Sequence, residues 1–160
     1  MSTEPIRRSV SVRCGLERAF RLFTEEIGSW WPVETHSRAA SDFEGRGVKV
    51  ERIEFQPRAG GRVLEHLSDG QVLPWAVVTV WEPPHRFVLS WHPSFADRPP
   101  TEVEVRFSAQ DGATFVELEH RGWERLGAGF EGLRGGYAAG WGTLLERFQG
   151  AARETEPAPG

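Results

Sequence analysis

The stretch that decides the fold is Gly135–Arg153, GGYAAGWGTLLERFQGAAR, near the end of the chain. Its large apolar residues recur at spacings of three and four, the period of an α-helix with one apolar face. These residues are Tyr137, Trp141, Leu144, Leu145 and Phe148. Gly140 and Gly142 lie beside that stripe, although a glycine costs a helix about 1 kcal/mol relative to alanine. We therefore predict a helix lying across a sheet, with a strand or a ligand close to its backbone at these glycines.

Upstream of this helix, seven segments have the two-residue alternation of β-strands and are separated by short turns. They are Ile6–Val12, Lys49–Gln56, Arg62–Leu67, Val72–Glu82, Arg86–His92, Thr101–Ser108 and Thr114–His120. Two short helices are predicted after the first strand, over Leu16–Phe23 and from there to Trp31. Because short turns join antiparallel neighbours, the sequence predicts an α+β fold in which a curved, seven-stranded antiparallel sheet wraps around the C-terminal helix.

Three local expectations accompany this fold. In Val72–Glu82, strict alternation places Trp75, Val77, Thr79 and Trp81 on one face of the strand and Ala76, Val78 and Val80 on the other. The glycine-rich segment Gly122–Gly136 is predicted to be a mobile loop, with Trp123 as a flap residue or a surface anchor. Residues 154–160 contain two prolines and are predicted to be a disordered tail.

Length and composition limit the class of protein. A chain of 160 residues is the usual size of one domain, predicted here over residues 1–153. The single cysteine, Cys14, cannot form an internal disulfide and fits a reducing compartment. We predict a cytoplasmic protein without a membrane span, because no signal peptide and no apolar run of about 18 residues is evident. A net charge of −4, with acids and bases interspersed, argues against nucleic acid as a partner.

Several segments together resemble a known family. They are Pro57–Glu65 with Asp69-Gly70, Trp81–Trp91, Thr114–His120 and Gly140–Leu145. In order and spacing they are similar to the helix-grip, or START-like, fold of the SRPBCC superfamily. Within it they resemble the branch of homologues of the activator of heat-shock-protein-90 ATPase. The resemblance implies a domain of the kind that binds lipids, hormones or polyketides and that in some members catalyses cyclisation, but such a fold alone does not define an activity.

The candidate ligand-binding residues are the large apolar side chains around the expected cavity, together with two polar groups. They are Trp30, Trp31, Phe43, Phe55, Glu65, Trp75, Trp91, Phe107, His120, Trp141 and Leu145. His120 is in phase with Val116 and Leu118, so it should point inward, either as a core histidine bonded to a carbonyl or an indole or as a partner for a ligand. Glu65 shares a face with Val63, and the alternative for it is a salt bridge at the rim.

No metal, cofactor or nucleotide motif is evident. The five histidines form no H-x-x-x-H pair, and neither a G-x-S-x-G elbow nor a Walker A sequence is present. His66, His92 and His120 could still converge from different strands, but we expect no metal and no cofactor.

Three functions remain open. The first is binding of a small hydrophobic or aromatic molecule in a cavity between the sheet and the C-terminal helix. The second is an interaction module of the co-chaperone type, with a chaperone as partner and an exposed apolar patch as its surface. The third is a cyclase or dehydratase that uses His120 with Glu65 or another carboxylate as acid and base. We expect binding rather than catalysis.

Overall fold

The computed structural model describes residues 4–32, 50–91, 100–126 and 131–155. The strands are β1 (Ile6–Val12), β2 (Val50–Phe55), β3 (Arg62–Leu67), β4 (Val72–Glu82), β5 (Arg86–Trp91), β6 (Thr101–Gln110) and β7 (Ala113–Arg121). The helices are α1 (Leu16–Phe23) and α2 (Glu131–Thr155), with 3-10 turns at Ile27–Ser29 and Trp123–Leu126. The predicted α+β, helix-grip fold is confirmed.

The strands form one antiparallel sheet in the order β1-β7-β6-β5-β4-β3-β2. From β2 to β7 each strand pairs with its neighbour in the chain, whereas β1 pairs with β7 across the length of the domain. The inner face of the sheet carries the apolar residues of each alternating strand, and α1 and α2 cover it. None of the helices in the described part of the chain is both long and apolar enough to cross a membrane.

Strand β4 departs from the predicted alternation. Its register against β3 shifts at Trp75, and its register against β5 shifts at Thr79. Each shift inserts one unpaired residue, which reverses the side-chain alternation beyond it. As a result Trp75, Ala76 and Val78 are all buried on the inner face, and the ring of Trp81 also packs against α1. The prediction that Ala76 and Val78 lie opposite Trp75 is therefore wrong, because two β-bulges intervene.

Helix α2 begins at Glu131, inside the segment predicted to be a loop, and continues two residues into the predicted tail. Contacts with β1 hold its first turns in place. The Arg134 guanidinium donates to the Glu4 carbonyl at 2.9 and 3.1 Å, and Arg8 donates to the Ala138 carbonyl at 3.0 Å. Tertiary contacts of this kind outweigh the low helix propensity of glycine.

The outer face of the sheet is built around a buried carboxylate. The side chain of Glu104 on β6 is only 4% exposed and accepts hydrogen bonds from Arg86 at 2.6 Å, Arg106 at 2.8 Å and Arg121. Burial alone would raise the pKa of Glu104, but these guanidinium groups outweigh it and lower the pKa to about 2. The charges of this face are thus largely paired with one another.

The glycines of α2 do not all mark close contacts. A Cβ atom built at Gly142 meets nothing within 4 Å, so the expectation of a close approach is wrong at this position. At Gly61, in the turn before β3, the same Cβ atom would lie 2.6 Å from the Gln56 carbonyl oxygen. Close approach therefore explains the glycine of the turn, and no packing contact explains the glycine of the helix.

We predict that Gly142→Ala raises the free energy of unfolding by about 0.5–1 kcal/mol, because alanine gains helix propensity in open space. Urea unfolding monitored by circular dichroism measures the change. Gly61→Ala is the matched control and should be destabilising, because the backbone must shift to admit the methyl group. Destabilisation of the Gly142 variant would mean that this position serves another contact.

Candidate functional site

Four tryptophans from separate elements meet between the sheet and α2, and we call them the tryptophan ring: Trp31, Trp75, Trp91 and Trp141. Trp31 follows the first 3-10 turn, Trp75 lies at the bulge of β4, Trp91 ends β5, and Trp141 comes from α2. Successive ring centroids are 4.7 Å (31–75), 6.1 Å (75–91), 5.6 Å (91–141) and 6.1 Å (141–31) apart. All four are at least 94% buried. Sequence reasoning named each of them as a candidate, and the fold brings them together.

The other predicted aromatic residues lie elsewhere. A second cluster beneath α1 is made mostly of phenylalanines: Phe20, Phe23, Phe55, Phe87, Phe107 and Phe148. Trp30 joins this cluster and donates its indole N–H to the Leu22 carbonyl at 2.9 Å. The candidates Trp30, Phe55 and Phe107 thus pack in the core under α1, and Trp30 also borders the tryptophan ring, with its ring centroid 5.9 Å from that of Trp31.

His120 lies beside the tryptophan ring and is completely buried. The indole Nε1 of Trp141 lies 3.0 Å from His120 Nδ1, and the Thr101 hydroxyl lies 2.7 Å from His120 Nε2. An indole nitrogen can only donate, so Nδ1 accepts and the ring proton of neutral His120 must be on Nε2. The Thr101 hydroxyl then accepts from Nε2 and donates onward to the Trp91 carbonyl at 3.4 Å.

The inward orientation of His120 is confirmed, and its partners match the core-histidine interpretation. Burial lowers its pKa from 6.5 to about 3, because the charged ring would lose its hydration. His120 is therefore neutral near pH 7 and lacks the imidazolium form in which a histidine acts as a general acid. Both ring nitrogens are occupied by protein groups, so a ligand would have to displace Trp141 or Thr101 to bond to them.

Trp123 has a different role from the one predicted. It is fully buried, its ring lies 4.4 Å from that of His120, and its indole N–H donates to the His120 carbonyl at 2.9 Å. Gly122 makes this possible because its φ of +96° lets the chain turn sharply after β7. The residue is a core contact of the 3-10 turn, so the interpretation as a flap or a surface anchor is wrong.

Glu65 is the second predicted polar group, and its inward orientation is also confirmed. It is completely buried and accepts a hydrogen bond from the Trp75 indole at 3.0 Å. Complete burial contradicts the alternative of a salt bridge at the rim. Glu65 pairs with Leu73 of β4, so Trp75, two residues along that strand, lies on the same face as the carboxylate.

Tyr137 is a site residue that sequence reasoning missed. Its hydroxyl accepts a hydrogen bond from the Trp91 indole at 2.9 Å, and its ring stacks near Trp141 at an interplanar angle of 25°. Burial raises the phenol pKa, against a smaller opposing effect of the Trp91 hydrogen bond. The signal in the sequence was its place on the apolar stripe, one turn before Trp141, combined with its being the only tyrosine.

The other candidates named from the sequence are Leu145, Phe43 and the histidines His66 and His92. Leu145 is buried on α2 one turn beyond Trp141, and Phe43 and His92 lie outside the described residues. His66 pairs with Glu54 at 2.8 Å, on the side of β3 opposite to Glu65, so it cannot converge with His120. Within the described ranges, no group of three or more histidine, cysteine or acidic residues could hold a metal ion.

A shallow, open groove of about 420 Å³ lies on the outer face of the sheet. Its walls are mainly charged and come from β1, β6 and β7: Arg7, Arg106, Glu117 and Glu119. Arg7 and Glu119 pair at 3.1 Å, and Arg106 pairs with Glu104. Because its charges are mixed and mostly paired, this groove is less suited to an apolar ligand than the aromatic interior.

We predict that His120 makes stability fall between pH 7 and pH 5. The unfolded chain binds a proton below about pH 6.5, whereas the folded chain does so only near pH 3, so the stabilisation is complete above pH 6.5 and is lost as the pH falls. The expected loss between pH 7 and pH 5 is about 2 kcal/mol. Urea unfolding at both values measures it, in a window above the titration of Glu104.

Two variants separate this effect from those of other histidines. His120→Gln should be less stable at pH 7 but should lose the pH dependence in this window. His85→Gln, at an exposed position, should retain the wild-type dependence. An unchanged pH dependence in the His120 variant would show that another group is responsible.

Comparison with known proteins found solved structures that have a similar fold. A search of the curated proteins found no match. Among solved structures, MLL2253 from Mesorhizobium loti is 17% identical, with 96% of this chain and 99% of that chain covered and a TM-score of 0.64. The Aha1 dimer from Colwellia psychrerythraea is 15% identical, with 92% and 95% covered and a TM-score of 0.64. These two likenesses concern the fold alone.

A third structure is more similar in sequence. It is an anthrahydroquino-γ-pyrone synthase, Txn09, complexed with SUM; it is 28% identical, with 94% of this chain and 99% of that chain covered and a TM-score of 0.59. The profile of the family described as Activator of Hsp90 ATPase homolog 1-like protein matches residues 13–153, which is most of the chain. The chain therefore belongs to the Activator of Hsp90 ATPase homolog 1-like family.

Proposed function

We propose that the protein binds a small aromatic or otherwise apolar molecule between the sheet and α2, against the tryptophan ring. The observation that carries this proposal is the convergence of four indoles from four separate elements next to two polar groups. Sites for small molecules usually combine apolar, aromatic walls with a few polar groups that fix the ligand's orientation. In this proposal the Glu65 carboxylate and the Tyr137 hydroxyl would be those groups, because each is bonded to one indole of the ring.

The relation to Txn09 supports an aromatic ligand. That protein is an anthrahydroquino-γ-pyrone synthase, and it is similar to this chain over nearly the whole length of both. Fused aromatic rings match the flat, polarisable faces of indoles, which favour offset-stacked or edge-to-face contacts. Bicyclic and tricyclic aromatic compounds are accordingly the first ligands to test.

Binding is better supported than acid–base catalysis by His120. A general acid or base works best with a pKa near the working pH, whereas burial lowers the pKa of His120 to about 3. Its ring nitrogens are bonded to Trp141 and Thr101, and neither is bonded to a carboxylate in the described structure. A cyclase or dehydratase mechanism would need other groups.

Membership of the Activator of Hsp90 ATPase homolog 1-like family supports the co-chaperone hypothesis. That hypothesis also predicts an exposed apolar patch as the docking surface. Val72 is the sole large apolar residue that is well exposed in the described part of the chain, at 45%. The outer face of the sheet instead carries paired charges around Glu104. These observations favour small-molecule binding over an apolar docking surface.

We predict that bicyclic aromatic compounds bind and perturb the tryptophan ring selectively. Protein labelled with 5-fluorotryptophan gives one ¹⁹F resonance for each of its seven tryptophans, assigned by single Trp→Phe substitutions. Ligand should shift the resonances of Trp75 and Trp141. Trp81, which packs against Phe20 in the cluster beneath α1, is the internal control and should move little.

The compounds to titrate are naphthalene, quinoline and chromone derivatives, at concentrations up to 1 mM. Gly142→Ala is a folded control that should bind as the wild type does, because this position contacts neither the ring nor its polar groups. Absence of binding across the whole panel, or shifts confined to Trp81, would contradict the proposal.

A further inference from the structure

The Tyr137 hydroxyl accepts one hydrogen bond, but its own proton is not donated to any described residue. Its oxygen accepts the Trp91 indole N–H at 2.9 Å, but its own proton meets no acceptor among the residues that the structure describes. Aromatic rings surround the phenol: those of Trp91, His120, Trp123 and Trp141 lie 5.0–6.4 Å from it, centroid to centroid. Those four residues are buried, whereas Tyr137 is partly exposed, so it lies where the cluster can be reached from outside.

Neighbouring donors cannot satisfy this proton. The indoles of Trp141 and Trp123 donate to His120, and an indole has no acceptor to offer. Both His120 nitrogens are also engaged. A hydroxyl donor left unpaired among rings costs about 1–3 kcal/mol, so such groups in native proteins generally have a partner, either a protein group, an ordered water or a ligand.

The Trp91 hydrogen bond also restricts the direction of that proton. With one lone pair of the oxygen occupied by a buried indole, the O–H bond can rotate only toward positions that keep this contact. Tyr137 therefore presents a donor in a narrow range of directions, held on a ring that stacks near Trp141. A donor held in place in this way costs little entropy when it binds an acceptor.

We propose that the Tyr137 hydroxyl is the specificity-determining group of the site, and that it donates a hydrogen bond to a neutral carbonyl or ether oxygen on an aromatic ligand. This inference rests on the proposed function and adds to it the chemical class of the ligand. A neutral acceptor fits better than a carboxylate because His120 beside the phenol is uncharged and the phenol itself is desolvated. An anion here would lose hydration without gaining a cation from the ring cluster.

A matched ligand pair tests the proposal. Chroman-4-one carries a ring carbonyl, and chroman has two hydrogens in place of that oxygen. Wild-type protein should bind chroman-4-one about three- to tenfold more tightly than chroman, the range expected for one neutral hydrogen bond. In Tyr137→Phe this preference should disappear through weaker binding of chroman-4-one, while chroman should change less than twofold.

A second measurement does not depend on a variant that folds. Because Tyr137 is the only tyrosine, protein labelled with 3-fluorotyrosine has a single ¹⁹F resonance. That resonance should shift with chroman-4-one well beyond its shift with chroman at equal saturation. A bond to the hydroxyl predicts this difference, and a purely structural role for the ring does not.

The outcomes separate the two proposals. If both compounds bind the wild type equally well, or if Tyr137→Phe weakens both to the same extent, the role of the hydroxyl is overturned while ligand binding stands. If neither compound nor any other member of the aromatic panel binds, the proposed function fails and this inference fails with it. A preference for chroman-4-one that persists in Tyr137→Phe would assign the donor to another residue.

Discussion

The structure around α2 depends on the uncharged imidazole of His120. One nitrogen accepts from Trp141 on α2, the other donates to Thr101 on β6, and the carbonyl of the same residue accepts from Trp123 in the second 3-10 turn. Three elements are thus joined at one residue of β7. The arrangement requires the neutral ring, because a proton on Nδ1 would face the indole N–H of Trp141. Burial enforces that state by lowering the pKa far below neutrality.

In the hydrogen-bonded path through His120, the donor and the acceptor of each bond are determined. Trp141 donates to His120, His120 donates to Thr101, and Thr101 donates to the Trp91 carbonyl. The Trp91 side chain then donates to Tyr137. Because indoles can only donate, each acceptor on this path is already decided, and the one proton on the path that has no acceptor among the described residues belongs to Tyr137. The direction of the Tyr137 donor is therefore linked, through Thr101 and Trp91, to the core histidine beside it.

The fold could be predicted from the sequence because its strongest signals are local. The alternation of Val103, Val105 and Phe107 gives β6 one buried face, and the apolar stripe of α2 is buried from Trp141 to Phe148 as its period requires. The inward orientations of Glu65 and His120 follow from the same two-residue period. These inferences need no knowledge of which strands become neighbours.

The site was only partly predictable because it depends on pairing between strands. The bulges at Trp75 and Thr79 exist only relative to β3 and β5, so alternation within β4 could not reveal them. Trp30 and Trp31 are adjacent in the chain and in contact with each other, yet Trp30 packs on Phe148 and Trp31 on Trp75, a division that no pattern within the segment reveals. Tyr137 was overlooked because its significance lies in a hydrogen bond to Trp91, 46 positions away in sequence.

The buried acidic residues on the two faces of the sheet have different kinds of hydrogen-bond donor, and this difference bears on which ligand could bind. Glu104 on the outer face accepts from three arginines, and Glu65 on the inner face has an indole N–H among its contacts. Arginine donors add charge to their hydrogen bonds, whereas indole and phenol donors are neutral and act along their N–H and O–H bonds. Charge on the outer face is thus balanced within the protein, while the inner face offers directed, neutral donors on aromatic walls. A ligand suited to that interior would be distinguished by where its oxygen atoms are placed rather than by its charge.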